Sequence, residues 1–347
     1  MNSPIIIRAD ASTRIGTGHV MRCLALAQAW QDSGGRAVFA MGMDAPALVD
    51  RLKSEGMEVV SLSAEPGSPE DADMTAGIAE RMGAGWVVVD GYHFGSEYQR
   101  IIKESGLRLL FIDDNGHADH YYADVVLNQN LHAKEDLYKN REPYTKLLLG
   151  TEYVLLRREF WPWRGWKREI PEVARKVLVT LGGSDPDNVT LKVIKALQEV
   201  EVDGLEALVV IGAANPHRQK LDKAIEGSEH IRLESNVLNM PSLMAWADIA
   251  ISAGGSTSWE LAFMRLPSLV VTLAENQIHI AEMLNRSKIA IQLGWHENLS
   301  TTDIAESVIK LMKNDNSRME TLIMCRYLFD GKGNDRIISF WRNVGDI

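Results

Sequence analysis

The sequence predicts an α/β protein built from two doubly wound parallel sheets. Short β-branched or aliphatic runs alternate with longer amphipathic stretches from one end to the other, which is the pattern of parallel strands joined by helices. At 347 residues the chain fits two domains of ordinary size, each able to bury a core. The alternation lapses once, at residues 157–174, a stretch rich in Trp, Arg and Pro without clear periodicity, and then starts afresh. The expected organisation is therefore an N-terminal domain over 1–156, a crossover over 157–174 and a C-terminal domain over 175–347.

In the first half the strand candidates are 5–9, 37–40, 58–62, 86–90, 107–113 and 124–128, with helical patterns such as 20–32 and 45–54 between them. A further extended run covers 146–154. In the second half strands are expected at 176–181, 205–211, 230–234, 249–252, 268–272 and 290–293. A closing helical region over 316–343 carries Phe340 and Trp341, bulky residues suited to packing back on the N-terminal domain.

Composition narrows the function classes. Hydrophobic residues are 46% and charged residues 24%, as in folded rather than disordered chains. The formal charge of -10 offers no general field for a nucleic-acid backbone or an anionic membrane, so neither is an expected partner. The two cysteines, Cys23 and Cys325, belong to no CxxC pair and lie near no metal-spaced histidine, which argues against a disulfide scaffold or a zinc site. No signal-peptide pattern opens the sequence and no apolar run approaches the ~20 residues that span a bilayer. A cytoplasmic, monomeric protein without cofactor or metal is expected.

Two glycine turns carry the chemistry. The first strand ends at Arg8-Ala9-Asp10, and Ile15-Gly16-Thr17-Gly18-His19 leads directly into a helix. Glycines let backbone approach a ligand, and the helix start adds unpaired N–H groups at the sheet edge where open α/β folds bind ligands. The dinucleotide fingerprint GxGxxG is not completed after Gly18, which disfavours a Rossmann dehydrogenase. His19 is either a general base working near neutral pH or a residue that caps the turn.

The second turn, Ser252-Ala253-Gly254-Gly255-Ser256-Thr257-Ser258-Trp259-Glu260, again joins a strand to a helix start. Gly254, Gly255, Ser256 and Thr257 can cradle a diphosphate without a metal, and Glu260, one turn on, can accept the two hydroxyls of a ribose. The alternative for Glu260 is a capping box. Gly182-Gly183-Ser184-Asp185 forms a similar turn at the same sheet edge, which either faces a ligand through Gly183 and Ser184 or is plain turn chemistry without a function. Asn276 and Gln277, at another helix start, can grip sugar hydroxyl or acetamido groups, or Asn276 can serve as an N-cap. Asp113-Asp114 is read as a cap or turn rather than a Mg²⁺ site.

With these residues in view the sequence resembles the UDP-sugar hydrolases of pseudaminic acid biosynthesis. The likeness runs nearly end to end through Arg8-Ala9-Asp10, 15–19 with 22–27, Ile112-Asp113-Asp114 with Leu127-Asn128-Gln129-Asn130, 181–185, and 253–262. It implies a glycosyltransferase-B fold of two facing Rossmann-like domains, with relatives among spore-coat polysaccharide proteins and MurG-type glycosyltransferases. It further implies that the C-terminal domain holds UDP, with Gly255 and Ser256 in the diphosphate turn and Glu260 on the ribose, that Asn276 and Gln277 stand at the cleft, and that His19 is the base. Gly183, Ser184, Gly254 and Thr257 are expected beside the UDP, and Asp10 and Gly18 beside the sugar. The Trp-rich 157–174 segment has no counterpart in the family pattern, and Met264-Arg265 stands where smaller residues are expected. Two rival functions share the UDP site: a glycosyltransferase, and a non-catalytic nucleotide-sugar sensor that would have no use for a base at His19.

Overall fold

The computed structural model describes residues 3–11, 16–42, 45–183, 185–212, 215–235 and 237–343. The chain divides into two compact units, one made of residues 1–158 with 331–347, the other of residues 159–330.

The first unit runs β1 (Ile5–Ala9), α1 (Gly18–Asp32), β2 (Ala37–Met41), α2 (Pro46–Ser54), β3 (Glu58–Ser61), α3 (Pro69–Met82), β4 (Trp86–Asp90), α4 (Ser96–Glu104), β5 (Arg108–Ile112), β6 (Val125–Asn128) and β7 (Lys146–Leu149). Its seven strands are parallel in the order β3-β2-β1-β4-β5-β6-β7. Strands buried on both faces read as continuous apolar runs, which is why Ile5-Ile6-Ile7 and Val87-Val88-Val89 show no alternation. The strand order reverses between β1 and β4, where Ala9 pairs with Asp90, so the sheet opens a crevice at the carboxyl ends of those two strands.

The second unit runs β8 (Lys176–Thr180), α5 (Val189–Gln198), β9 (Glu206–Ile211), α6 (Arg218–Ile225), β10 (Ile231–Ser235), α7 (Met240–Trp246), β11 (Ile249–Ala253), α8 (Thr257–Phe263), β12 (Ser268–Thr272), α9 (Ile278–Arg286), β13 (Ile291–Trp295), α10 (Thr301–Lys313) and α11 (Asp315–Leu328). Its parallel order β10-β9-β8-β11-β12-β13 places a second reversal between β8 and β11. Val177, Val179, Ile249, Ile251, Leu269 and Val271 face Val193 and Val308 in its core.

The extended run expected over 146–154 stops at Leu149, because Gly150 at φ +102° turns the chain into a short 3-10 helix over Thr151–Tyr153. The closing helical region is likewise two helices. α11 ends at Leu328 with Phe329 in extended conformation, and Gly331, at φ +73°, then turns the chain into α12 (Gly333–Asn343), which belongs to the first unit. There Trp341 is fully buried, 5.5 Å edge-on from Trp30 and 5.6 Å from Trp86. Asn334 accepts from Leu156 N at 3.0 Å and donates to Ala25 O at 2.8 Å.

The aperiodic 157–174 segment owes its composition to anchoring rather than to an amphipathic face. It holds a 3-10 helix over Arg158–Trp163, and Arg168 is buried with its guanidinium donating to Met244 O, Ala247 O and Met264 O at 2.5, 2.5 and 3.1 Å. A cation there meets the carbonyl ends of α7 and α8. Burial pulls Arg168 down to about 10, against the weaker opposing charge of Asp248.

Candidate functional site

In the first unit the carboxyl ends of β1 and β4 bring together residues far apart in sequence. Gly16 takes φ +78°, a left-handed turn that glycine adopts without strain, and Gly18 is the first residue of α1. Thr17 makes no side-chain cap, and His19, the next residue along the helix, points its ring at β4. Its Nδ1 lies 2.6 Å from Asp90 Oδ1, with His19 7% and Asp90 0% exposed. The side chain thus serves a carboxylate contact and not the cap of its turn.

One turn further along α1, Arg22 donates from Nε to Asp90 Oδ2 at 2.6 Å and from Nη2 to Asp90 Oδ1 at 2.7 Å. Its Nη1 donates to Asp114 Oδ1 at 2.7 Å, just beyond β5. Asp114 also accepts from Tyr92 Oη at 2.9 Å and from Asn130 Nδ2 at 2.7 Å, and the Tyr92 ring stands edge-on to His19 at 4.9 Å. Burial opposes ionisation of both carboxyls, but the Arg22 guanidinium outweighs it and holds Asp90 and Asp114 below the usual carboxylate range. Burial and the Asp90 charge push the neighbouring Cys23 thiol well up, so it stays protonated.

Asp10, expected at the sugar, is 1% exposed and engaged on several sides. It pairs with Arg8 at 2.8 Å and accepts from Gly42 N at 2.8 Å, while His93 Nε2 stands 3.2 Å away but poorly aligned. Arg8 in turn pairs with Asp71. Asp113 behaves as a turn former, accepting from Asn115 N at 2.8 Å and Gly116 N at 3.1 Å. Its neighbour Asp114 does not. The two stretches 112–114 and 127–130 meet in space through Asn130 and Asp114.

In the second unit Gly254 and Gly255 close β11 and Ser256 and Thr257 open α8, while Glu260 sits half-buried one turn on. Gly254 leaves little room for a side chain, since a Cβ there would lie 3.2 Å from both Cβ and O of Gln277. Gln277 accepts from Leu273 N at 3.0 Å through Oε1, and Asn276 beside it is exposed. Ser258 is turned inward onto Ala253 O at 3.2 Å. Gly183 follows β8 so closely against the β9 turn that a Cβ on Gly212 would fall 1.9 Å from Gly183 O. Asp185 accepts from Val189 N and Thr190 N at 2.8 and 2.9 Å and so caps α5. Ser184 lies outside the described residues. The turns bearing Gly183 and Gly254 therefore flank the β8/β11 reversal, as the His19 and Asp90 positions flank that of the first unit.

Arg22, Asp90, Tyr92 and Asn130 are functional candidates to which no motif assigned a role, although Arg22 and Asn130 lie in stretches that carry the family resemblance. Two signals pointed to them: Arg22 stands three residues after His19, on the same helix face, and Asp90 ends the Val-Val-Val run at a sheet edge. Among the described residues no group of three or more His, Cys, Asp or Glu is placed to hold a metal ion. No helix among them is long and apolar enough to cross a membrane.

Comparison with known proteins matches residues 177–324 to the glycosyltransferase family 28 C-terminal domain. The crystal structure of Acinetobacter baumannii MurG superposes with a TM-score of 0.68 at 15% identity, covering 98% of this chain and 99% of that one. The chain has the glycosyltransferase-B fold, two Rossmann-like domains in one polypeptide. Its sequence is 24% identical over 294 residues to the UDP-2,4-diacetamido-2,4,6-trideoxy-beta-L-altropyranose hydrolase of Campylobacter jejuni, covering 83% of this chain and 98% of that protein. It is also 27% identical over 281 residues to MJ1062 of Methanocaldococcus jannaschii, covering 79% of this chain but only 56% of that protein's length. The resemblance expected from the motifs is thereby borne out.

Proposed function

We propose that the protein hydrolyses the bond between the anomeric carbon and UDP in a UDP-linked 2,4-diacetamido-2,4,6-trideoxy sugar, supplying free sugar for pseudaminic acid synthesis. The observation that carries this reading is His19, a nearly buried imidazole backed by a carboxylate at the β1/β4 reversal of the first unit. A sensor has no need of such a base. The C. jejuni relative, which matches over almost its whole length, supports the substrate class.

The roles divide between the units. In the second, the Gly183 and Gly254–Thr257 turns take the diphosphate and Glu260 the ribose, with Asn276 and Gln277 at the sugar. In the first, His19 accepts a proton from water as the water oxygen bonds to the anomeric carbon. The bond from that carbon to the phosphate oxygen breaks, and UDP leaves with the electron pair. Backbone N–H groups and hydroxyls at the glycine turns stabilise the departing charge without a metal.

The family 28 match favours a second reading, in which an acceptor hydroxyl replaces water. Incubation with a panel of UDP-sugars in the absence of acceptor separates the two. Stoichiometric free UDP and free sugar support hydrolysis; release of UDP only when an acceptor is added supports transfer.

A further inference from the structure

Nδ1 of His19 faces two groups. Asp90 Oδ1 at 2.6 Å is a short hydrogen-bond distance, while Arg22 Nη2 at 3.3 Å is at the far edge of one. Two lone pairs at 2.6 Å would repel, so the proton sits on Nδ1 and is donated to Asp90, leaving the Nε2 lone pair as the acceptor. The charges around the ring can then be counted. From β4 comes Asp90, from α1 itself Arg22, and from the end of β5 Asp114. Tyr92, from the loop after β4, and Cys23, on α1, are uncharged, and His117, 5.9 Å from Tyr92, is answered by Asp113 at 3.2 Å. His132 donates Nε2–H to Asp114 O at 2.8 Å, and its buried Nδ1 has no acceptor among the described residues, so it adds no charge to the count. Two carboxylates against one guanidinium leave the cluster at net -1 while His19 is neutral, and at zero once the ring is protonated.

We infer that Asp114, which does not touch the imidazole, is a positioning residue of the base. With Asp90 and Arg22 it leaves the buried cluster one positive charge short, and the proton that His19 takes from water supplies that charge. This rests on the hydrolase reading for its chemistry but not for its electrostatics. Burial matters because the same charges in water would be screened, whereas Asp90 at 0% and Asp114 at 4% exposure interact through protein. The brace also joins the ends of β4 and β5 to α1, so that three elements hold one ring.

Two substitutions test this with opposite signs. Asp114→Asn removes one negative charge and keeps an oxygen to accept from Arg22. Protonation of His19 becomes harder, so the acid limb of the kcat/KM profile should move to lower pH and the plateau should fall about tenfold, with UDP affinity unchanged. Arg22→Gln removes the positive charge, and the limb should move to higher pH. A merely structural role would reduce the folded fraction without displacing the limb. Folded variants whose limbs coincide with that of the unsubstituted protein would overturn the inference. The ¹⁵N spectrum of the His19 ring, assigned with His19→Ala, gives a readout without turnover and without either variant. A proton on Nδ1 at neutral pH is expected, and a proton on Nε2 would overturn the assignment even if both variants failed to fold. If no UDP-sugar is hydrolysed, the hydrolase reading fails, while the His19 ring spectra of the Asp114→Asn and Arg22→Gln variants, followed against pH, still decide the cluster.

Discussion

His19 and Asp90 stand 71 residues apart in sequence and 2.6 Å apart in space, across the point where the strand order of the first sheet reverses. The pairing follows from topology: β1 and β4 are neighbours, so the helix start after one faces the terminal carboxylate of the other. It leads to the first prediction. His19→Ala should keep its UDP affinity while turnover falls by about 10²-fold or more, the scale of a lost general base. Calorimetric UDP binding and single-turnover rates on one preparation check it, and full turnover in the folded variant would remove His19 from the mechanism.

Two glycines of the second unit should respond differently to alanine. A Cβ on Gly255 meets nothing within 4 Å, so Gly255→Ala should fold with unchanged stability. If a diphosphate lies against that backbone, its UDP affinity should nevertheless drop by about tenfold or more, or roughly 1.4 kcal/mol. Gly212→Ala, whose Cβ would strike Gly183 O, should instead lose stability first. Thermal unfolding and UDP titration of both variants separate the effects.

Trp341 anchors α12 between Trp30 and Trp86 and is fully buried. Trp341→Ala should destabilise the first unit by about 3–5 kcal/mol, the usual range for truncating a large buried aromatic. Denaturant unfolding with separate probes in each unit should show the first transition moving and the second staying.

Asp90 and Asp114 are held below the ordinary carboxylate range in the folded protein. A depressed folded value means that these groups stabilise the fold above their unfolded range, near pH ~4, and that this contribution is lost as pH falls through the folded values. Stability should therefore decline steeply below pH ~4. A folded Asp114→Asn protein should show a shallower acid decline, measured by denaturant midpoints across pH; parallel curves would contradict the assigned pairing.

The sheets were legible because their central strands are apolar runs bounded by turns, as at Val87–Val89 and Val177–Val179, while the edge strand β10 alternates apolar and charged residues. Residues 316–343 were harder, since the break between α11 and α12 spans only four residues and is marked by Gly331 and Gly333 alone. The crossover was opaque because Arg168 works by reaching carbonyls far away in sequence, which leaves no period. His19 was visible through its glycine turn. The cluster behind it was not, because Asp90 at the end of β4 and Asp114 just beyond β5 converge on Arg22 only through sheet order, a long-range property that short motifs do not encode.

In the proposed reaction water attacks the anomeric carbon. Turnover of a UDP-linked diacetamido sugar in H₂¹⁸O, followed by mass spectrometry of the released UDP, tests it most directly. Cleavage between carbon and oxygen predicts UDP that carries no ¹⁸O. UDP bearing the label would place the attack on phosphorus, and no UDP without an added acceptor would make the protein a transferase; either result contradicts the account.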